Sequence, residues 1–239
     1  VRRALVLLAW LVSALPAGAA CRQALALGLD VSGSVDAVEY RLQLDGLAAA
    51  LLRPEVQQAF LAFPEAPVRL YVFEWAGSAD QRRLVDWREI GSAGDLADVA
   101  AVLTGTGRVS MAPATAIGVA MRTGAEALAA QGDCDRRVLD LSGDGKSNVG
   151  PRPRTVKRDP ALAGITVNGL VVGADPRSAS DARGAAVGEL LAYYRNEVIH
   201  GPGAFTELAL GFEGFEGAMA KKLLRELQTL AVAGRGPRP

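Results

Sequence analysis

Six short strand-like runs, mostly apolar, at 24 to 30, 68 to 74, 82 to 88, 137 to 142, 165 to 172 and 204 to 210, limit the fold of this chain more than any other feature. Most are separated by segments of helical periodicity, and strands that alternate with helices imply an α/β architecture with a parallel sheet. The exception lies between the second and third runs, which only Ala76-Gly77-Ser78-Ala79-Asp80 divides. A link that short returns the chain antiparallel, because parallel neighbours need a crossover of about a dozen residues or more. The spacing predicts a mostly parallel six-stranded α/β sheet with strand 3 antiparallel.

The intervening segments carry the helical stripes that such a sheet needs. Tyr40, Leu44, Leu47 and Leu51 share one face, as do Ile117, Met121, Gly124 and Leu128. A third stripe, Phe215, Met219, Leu223, Leu227 and Leu230, predicts a closing helix over about 212 to 230. With 239 residues, 50% of them hydrophobic and 22% charged, the chain has the material for one sizeable core. We expect one domain, 22 to 230, and a frayed tail, 231 to 239. Lys plus Arg (26) equals Asp plus Glu (26), so no chain-wide field favours nucleic acid or an anionic membrane.

Val1-Arg2-Arg3, an apolar stretch from Ala4 to Leu15 and then Pro16-Ala17-Gly18-Ala19-Ala20 have the pattern of a secretory signal peptide. Cleavage after Ala19 removes residues 1 to 19. The alternatives are an uncleaved membrane anchor, for which the apolar stretch falls short of a span, and a lipoprotein beginning at Cys21, although Gly18 stands where an aliphatic residue is usual. No later segment is apolar enough over a bilayer's width, so no transmembrane segment is expected in the mature chain. The expected location is periplasmic or secreted. Two cysteines then meet an oxidising compartment. Cys21 lies nine residues before Asp30 (30 − 21) and Cys134 ten before Asp144 (144 − 134), each at the base of a strand whose top is polar. If the two strands are parallel neighbours, the cysteines meet in a disulfide; otherwise they are two free thiols.

Asp30-Val31-Ser32-Gly33-Ser34 follows the first apolar run and leads into a helix. A carboxylate and two hydroxyls at alternate positions on such a loop can turn their oxygens toward one hard cation, Mg2+ or else Mn2+ or Ca2+. Thr115, opening a second helix, and Asp144, ending a second strand, supply what remains. Two carboxylates bring the site to about neutral, and the three hydroxyls leave room for water. Taken singly, Ser32, Ser34 or Thr115 also suits a helix cap.

The set Asp30, Ser32, Ser34, Thr115, Asp144, in that order, resembles the metal-ion-dependent adhesion site of von Willebrand factor type A domains. The resemblance implies a doubly wound sheet with helices on both faces and the strand order 3-2-1-4-5-6, with Asp30 and Asp144 ending the two strands that flank the point where the order reverses, the usual ligand position in such sheets. It also implies a protein partner presenting Asp or Glu, whose carboxylate completes the coordination. Ser142 stands where the family commonly has Thr, and Gly143 is inserted before Asp144. Phrases such as Tyr71-Val72-Phe73-Glu74-Trp75-Ala76-Gly77, Ser142-Gly143-Asp144-Gly145, Tyr193-Tyr194-Arg195 and His200-Gly201-Pro202-Gly203-Ala204-Phe205 resemble an exported bacterial type A-like family of unknown function, over about 24 to 228.

Other residues point elsewhere. His200 is the single histidine, which excludes a histidine-based metal cluster; it is read as a turn at the sheet edge opposite Asp30. Trp75 is read as core, with a partner surface as the alternative. Asp140 interrupts an apolar strand and needs a buried partner, for which Arg136 and Arg137 are the local candidates. The stretch Gly173 to Gly184 is expected to be a loop beside the metal. A haloacid-dehalogenase-like Mg2+-dependent phosphatase is the enzyme alternative, since Gly143-Asp144-Gly145-Lys146-Ser147-Asn148 is close to its metal motif. Against it, Ser32 stands where the second Asp, the general acid, belongs. Asn148 stands where the last motif usually has Asp, and no Lys precedes Lys146. A nucleotide-binding G-x-G-x-x-G does not follow the first strand. The expected activity is therefore that of a metal-dependent protein-binding module, not an enzyme.

Overall fold

Strand β1 (Gln23–Asp30) is buried along its whole length in the computed structural model, which describes residues 21–173 and 181–233. It lies inside a six-stranded sheet with β2 (Val68–Trp75), β3 (Gln81–Ile90), β4 (Arg137–Gly143), β5 (Ile165–Gly173) and β6 (Thr206–Leu210) in the order β3-β2-β1-β4-β5-β6. β3 runs antiparallel to β2, and every other pairing is parallel. A strand paired on both edges and covered on both faces needs an apolar interior, which is why β1 reads from Ala24 to Leu29 as a run without alternation.

Helices α1 (Ala37–Leu52), α2 (Pro54–Phe60), α3 (Ala93–Gly105), α4 (Ile117–Ala129), α5 (Pro153–Val156), α6 (Asp181–Tyr193) and α7 (Phe215–Ala233) complete the described chain with short 3-10 and π segments. Successive strand residues face opposite ways, so β1 feeds two cores. Leu25, Leu27 and Leu29 pack with Leu44, Leu47 and Leu51 of α1, Leu96 and Leu103 of α3, and Phe215, Met219, Leu223 and Leu227 of α7. Ala24 and Ala26 face α4, whose Ile117, Met121 and Leu128 pack with Leu139 and Leu141. The small side chains on that face let α4 sit low. A Cβ at Gly124 would come within 2.3 Å of the Leu139 side chain, so this helix reaches the sheet only because the position is glycine.

All three helical stripes expected from the sequence face the core, although the side chain of Leu230 is outside the described residues. Cys21 and Cys134 form a parallel bridge at the bases of β1 and β4 and are joined by a disulfide. His200 pairs with Val167, near the start of β5, and so lies at the sheet edge opposite Asp30. α7 extends through Ala233, so the first three residues of the expected tail, 231 to 233, are helical. The segments expected as a signal peptide (1–19), as the remainder of the tail (234–239) and as the middle of the loop beside the metal (174–180) lie outside the described residues. The loop expected to reach Gly184 gives way to α6 at Asp181.

Packing corrects one local expectation, the partners of Asp140, and meets another, the core position of Trp75. Asp140 pairs with neither Arg136 nor Arg137 but with Lys222 of α7, because its strand position faces that helix. Arg137 instead donates to the Ala163 carbonyl at 3.0 Å. Trp75 is fully buried in the α4-side core, so it frames no partner surface. Among the described residues no helix is long and apolar enough to cross a membrane.

Candidate metal centre

Three loops meet at the carboxyl edge of β1, β2 and β4. Past Asp30, Val31 N still donates to the Trp75 carbonyl at 2.9 Å; the chain then turns, and Ser32 N donates to Asp30 Oδ1 at 2.9 Å. Such a turn is a common use of an Asp side chain. Gly33 N donates to the Pro113 carbonyl at 3.2 Å and Ala116 N to the Ala76 carbonyl at 2.8 Å, which draws the Thr115 segment onto the ends of β1 and β2. Asn148 closes the third side: its Oδ1 accepts from Thr115 N at 2.9 Å, and its own N–H donates to the Thr115 carbonyl at 2.9 Å.

The helix-cap readings fail for all three hydroxyl residues. α1 is capped by Asp36, whose Oδ1 accepts from Val38 N at 2.7 Å and Glu39 N at 2.9 Å while Glu39 returns a bond to Asp36 N. Such a cap contributes about 1 kcal/mol and needs no help from Ser32 or Ser34. The cap position of α4 is Ala116, with no side-chain bond. Thr115 Oγ1 donates instead to Ser32 Oγ at 3.2 Å, Ser32 Oγ lies 3.3 Å from Ser34 Oγ, and Ser34 Oγ donates to Asp144 Oδ1 at 2.6 Å. The structure therefore brings all five residues to one place: four in a hydrogen-bonded string, and Asp30 beneath it. Ser32 and Thr115 are buried, whereas Ser34 is exposed and Asp144 half-buried, so the string runs from the interior to the surface.

The electrostatics suit a cation. Asp30 is 1% exposed, and its Oδ2 has no hydrogen-bond partner among the described residues. Burial raises its pKa to about 7, against the lowering effect of the Ser32 hydrogen bonds, and the nearby Asp144 charge adds to the rise. Asp144 is raised by burial as well, with the Ser34 hydrogen bond opposing. Lys146, two residues on, neutralises neither carboxylate in this arrangement; it pairs with Glu189. Two desolvated carboxylates, one carrying an unpartnered oxygen, with three hydroxyls and only oxygen donors, fit a hard divalent cation.

Three residues of the site carried no such signal in the sequence. Gln43, fully buried on α1, donates from Nε2 to the Asp30 carbonyl at 2.9 Å and accepts at Oε1 from Ser142 Oγ at 2.9 Å. It thus bridges the ends of β1 and β4 and gives Ser142 its role. A glutamine within an apolar stripe was the available sign. Tyr194 is buried with its hydroxyl unpartnered among the described residues; burial, then the charges of Asp30 and Asp144, hold its pKa well above the usual value. Gly143 separates these groups: a Cβ there would lie 2.4 Å from the Tyr194 hydroxyl and 2.9 Å from Asp30 Oδ2. The third is Asn148. Beside Asp144 a cleft of about 440 Å3 opens to solvent, lined by Asp36, Val38, Glu39 and Glu213 among others.

Comparison with known proteins agrees with the fold. No curated protein matches the sequence. Among solved structures, proximal thread matrix protein 1 from the mussel byssus superposes with a TM-score of 0.57 at 15% identity, over 88% of this chain and 48% of that one. A further structure of that protein, with a zinc-occupied MIDAS motif, gives 0.53 at 14%, over 87% and 46%. The pilus adhesin SpaC from Lactobacillus rhamnosus GG gives 0.54 at 14%, over 87% and 31%, and a von Willebrand factor type A protein from Catenulispora acidiphila gives 0.52 at 12%, over 87% and 43%. The chain spans less than half the length of these proteins, and at such identities the likeness is one of fold. The model of a family described as Protein of unknown function (DUF1194) matches residues 20–231. With nearly the whole described domain inside that match, the chain belongs to the DUF1194 family and has the fold of a von Willebrand factor type A domain.

Proposed function

We propose that this domain is an exported, divalent-metal-dependent protein-binding module in which Asp30, Ser32, Ser34, Thr115 and Asp144 hold Mg2+ or a similar ion. The observation that carries the reading is the meeting of these five side chains at one sheet edge, above a buried Asp30 oxygen with no partner of its own. A bound cation supplies an open coordination position that an Asp or Glu carboxylate of a protein partner can take. The chain's own residues do the rest. Asp30 and Asp144 provide charge, the three hydroxyls provide neutral oxygens, and Gln43 and Asn148 hold the loops in register. The zinc-occupied MIDAS motif of the byssus protein supports a divalent metal in general. The Cys21–Cys134 disulfide is in keeping with export past a signal peptide at residues 1 to 19, into the periplasm or beyond.

The phosphatase alternative finds no support in the site. Ser32, where a general acid would be needed, is buried among Thr115 and Ser34, and Lys146 is engaged with Glu189. Calorimetric titration with Mg2+ and Mn2+ tests the proposal. Wild-type protein is expected to bind one ion, and Asp30→Asn to lose at least about 100-fold in affinity while keeping its far-UV spectrum, since removing even an outer partner of a metal ligand costs 10- to 100-fold. Equal titrations of the two proteins would sink the metal site. Capture from an extract that proceeds equally with EDTA would sink metal-dependent partner binding.

A further inference from the structure

The face of the sheet covered by α7 buries three ionisable groups together. Asp140 of β4 is 2% exposed, and Lys222 and Glu226, one turn apart on α7, are 0% and 2% exposed. Lys222 Nζ pairs with Asp140 Oδ1, and with Glu226 Oε1 at 2.6 Å. Asn168, opposite Asp140 on β5, donates from Nδ2 to Glu226 Oε1 at 2.7 Å and accepts from Phe205 N at 3.0 Å, which fixes the Glu226 carboxyl. The Phe205 ring lies 5.3 Å from Lys222 Nζ, and Val138, Leu170, Met219 and Leu223 make up the apolar surroundings.

Nothing in the metal reading uses this cluster, and as an ion network it is poorly balanced. Two carboxylates face one ammonium, and buried ions repay their desolvation only when the remaining lone pairs are satisfied. Asp140 Oδ2 has no hydrogen-bond partner among the described residues. Burial, and then the charge of Asp140, raise the pKa of Glu226, which makes it a ready proton carrier. Burial alone lowers Lys222, but its two carboxylate neighbours more than offset that, so the ammonium is the resting form.

We propose that Lys222 and Asp140 become joined by an intramolecular isopeptide bond, formed by the folded chain itself with Glu226 as proton relay. The Lys222 ammonium passes one proton through Glu226 to the Asp140 carboxylate, which leaves a neutral amine and a neutral acid. The Nζ lone pair attacks Asp140 Cγ: a C–N bond forms, and the carbonyl π pair moves onto its oxygen. Nζ then gives a second proton, again through Glu226, to the Asp140 hydroxyl. As the carbonyl re-forms, the C–O bond breaks and water leaves. One ammonium and one carboxylate become one amide and one water, with no oxidant, reductant or activating group. The fold supplies the proximity that such a step requires, and the product replaces two buried charges by a neutral amide. The bond would tie α7 to β4 across 82 residues (222 − 140), so the closing helix could not peel from the sheet. This inference is independent of the metal reading.

The mass of the reduced full-length protein, with its N-terminus determined, decides the matter. The expected value is one water below that of the sequence, and trypsin is expected to release Val138–Lys146 linked to Lys222–Arg225. A full sequence mass overturns the proposal. So does a loss of water without that linked peptide, as a succinimide at Asp144-Gly145 would give. Lys222→Met and Glu226→Gln are each expected to restore the full mass for their sequence; a linked peptide persisting in Glu226→Gln overturns the relay. The wild-type mass tests the bond whether or not either variant folds.

Discussion

Ser34 Oγ donates to Asp144 Oδ1 at 2.6 Å, and this one bond joins loops 110 residues apart at the solvent end of the hydroxyl string. Because the pair is exposed, its loss should cost the fold less than about 1 kcal/mol. Its loss should cost metal binding more: Ser34→Ala is expected to weaken Mg2+ about 10- to 100-fold, the range found when groups supporting a metal site are removed. Calorimetric titration alongside a urea melt separates the two effects. Unchanged affinity would take Ser34 out of the ligand set.

Gln43 acts from the opposite, buried side. Gln43→Leu leaves the Asp30 carbonyl without this partner and the Ser142 hydroxyl with only its longer bond to the Gly28 carbonyl, at 3.4 Å; a buried polar group left unpaired costs about 1 to 3 kcal/mol. We expect a lower urea midpoint with an unchanged slope, and weaker metal binding because both strand ends loosen. A midpoint equal to that of wild type contradicts the bridging role.

Gly143 leaves room for both Asp30 and Tyr194. In Gly143→Ala the new methyl would sit 2.4 Å from the Tyr194 hydroxyl and 2.9 Å from Asp30 Oδ2, so one or both must move. Overpacking of this kind costs about 1 to 3 kcal/mol, and here it should also displace a metal ligand. Adding Tyr194→Phe removes the closer clash and is expected to recover part of the stability. Differential scanning calorimetry of the single and double variants gives the coupling; purely additive effects would show that the two residues do not collide.

The Cys21–Cys134 disulfide spans 113 residues and lies at the sheet edge opposite the metal site. In the chain-entropy model a loop of that size contributes roughly 4 to 5 kcal/mol, an upper figure. Cys21→Ser with Cys134→Ser should therefore lower the melting temperature markedly and leave the Mg2+ titration of the folded protein unchanged. A changed metal affinity with an unchanged melting temperature would reverse this assignment of roles.

Much of the fold was legible in the sequence because hydrophobic periodicity is a local signal. The apolar runs, the stripe from Tyr40 to Leu51 and the short link at 76 to 80 each report on their own neighbourhood, and together they imply the sheet. The matched offsets of Cys21 and Cys134 were readable for the same reason: residues equally far below two strand ends lie at one level of a parallel pair. The five-residue site was legible only as an ordered set, since each hydroxyl alone also suited a cap. What separated the readings was the start of α1 at Ala37, capped by Asp36, an element boundary that local patterns place poorly.

Tertiary structure alone decided which polar groups meet across elements. Asp140 had two arginines close by in sequence, yet its strand position points it at α7 and so at Lys222 and Glu226. Gln43 and Tyr194 reach Asp30 and its surroundings from two helices on opposite faces of the sheet. Periodicity tells which face of an element is buried. It does not tell which side chain of a distant element will face it, because that depends on how each helix settles over the sheet, and on glycines such as Gly124 and Gly143 that set how closely the elements approach.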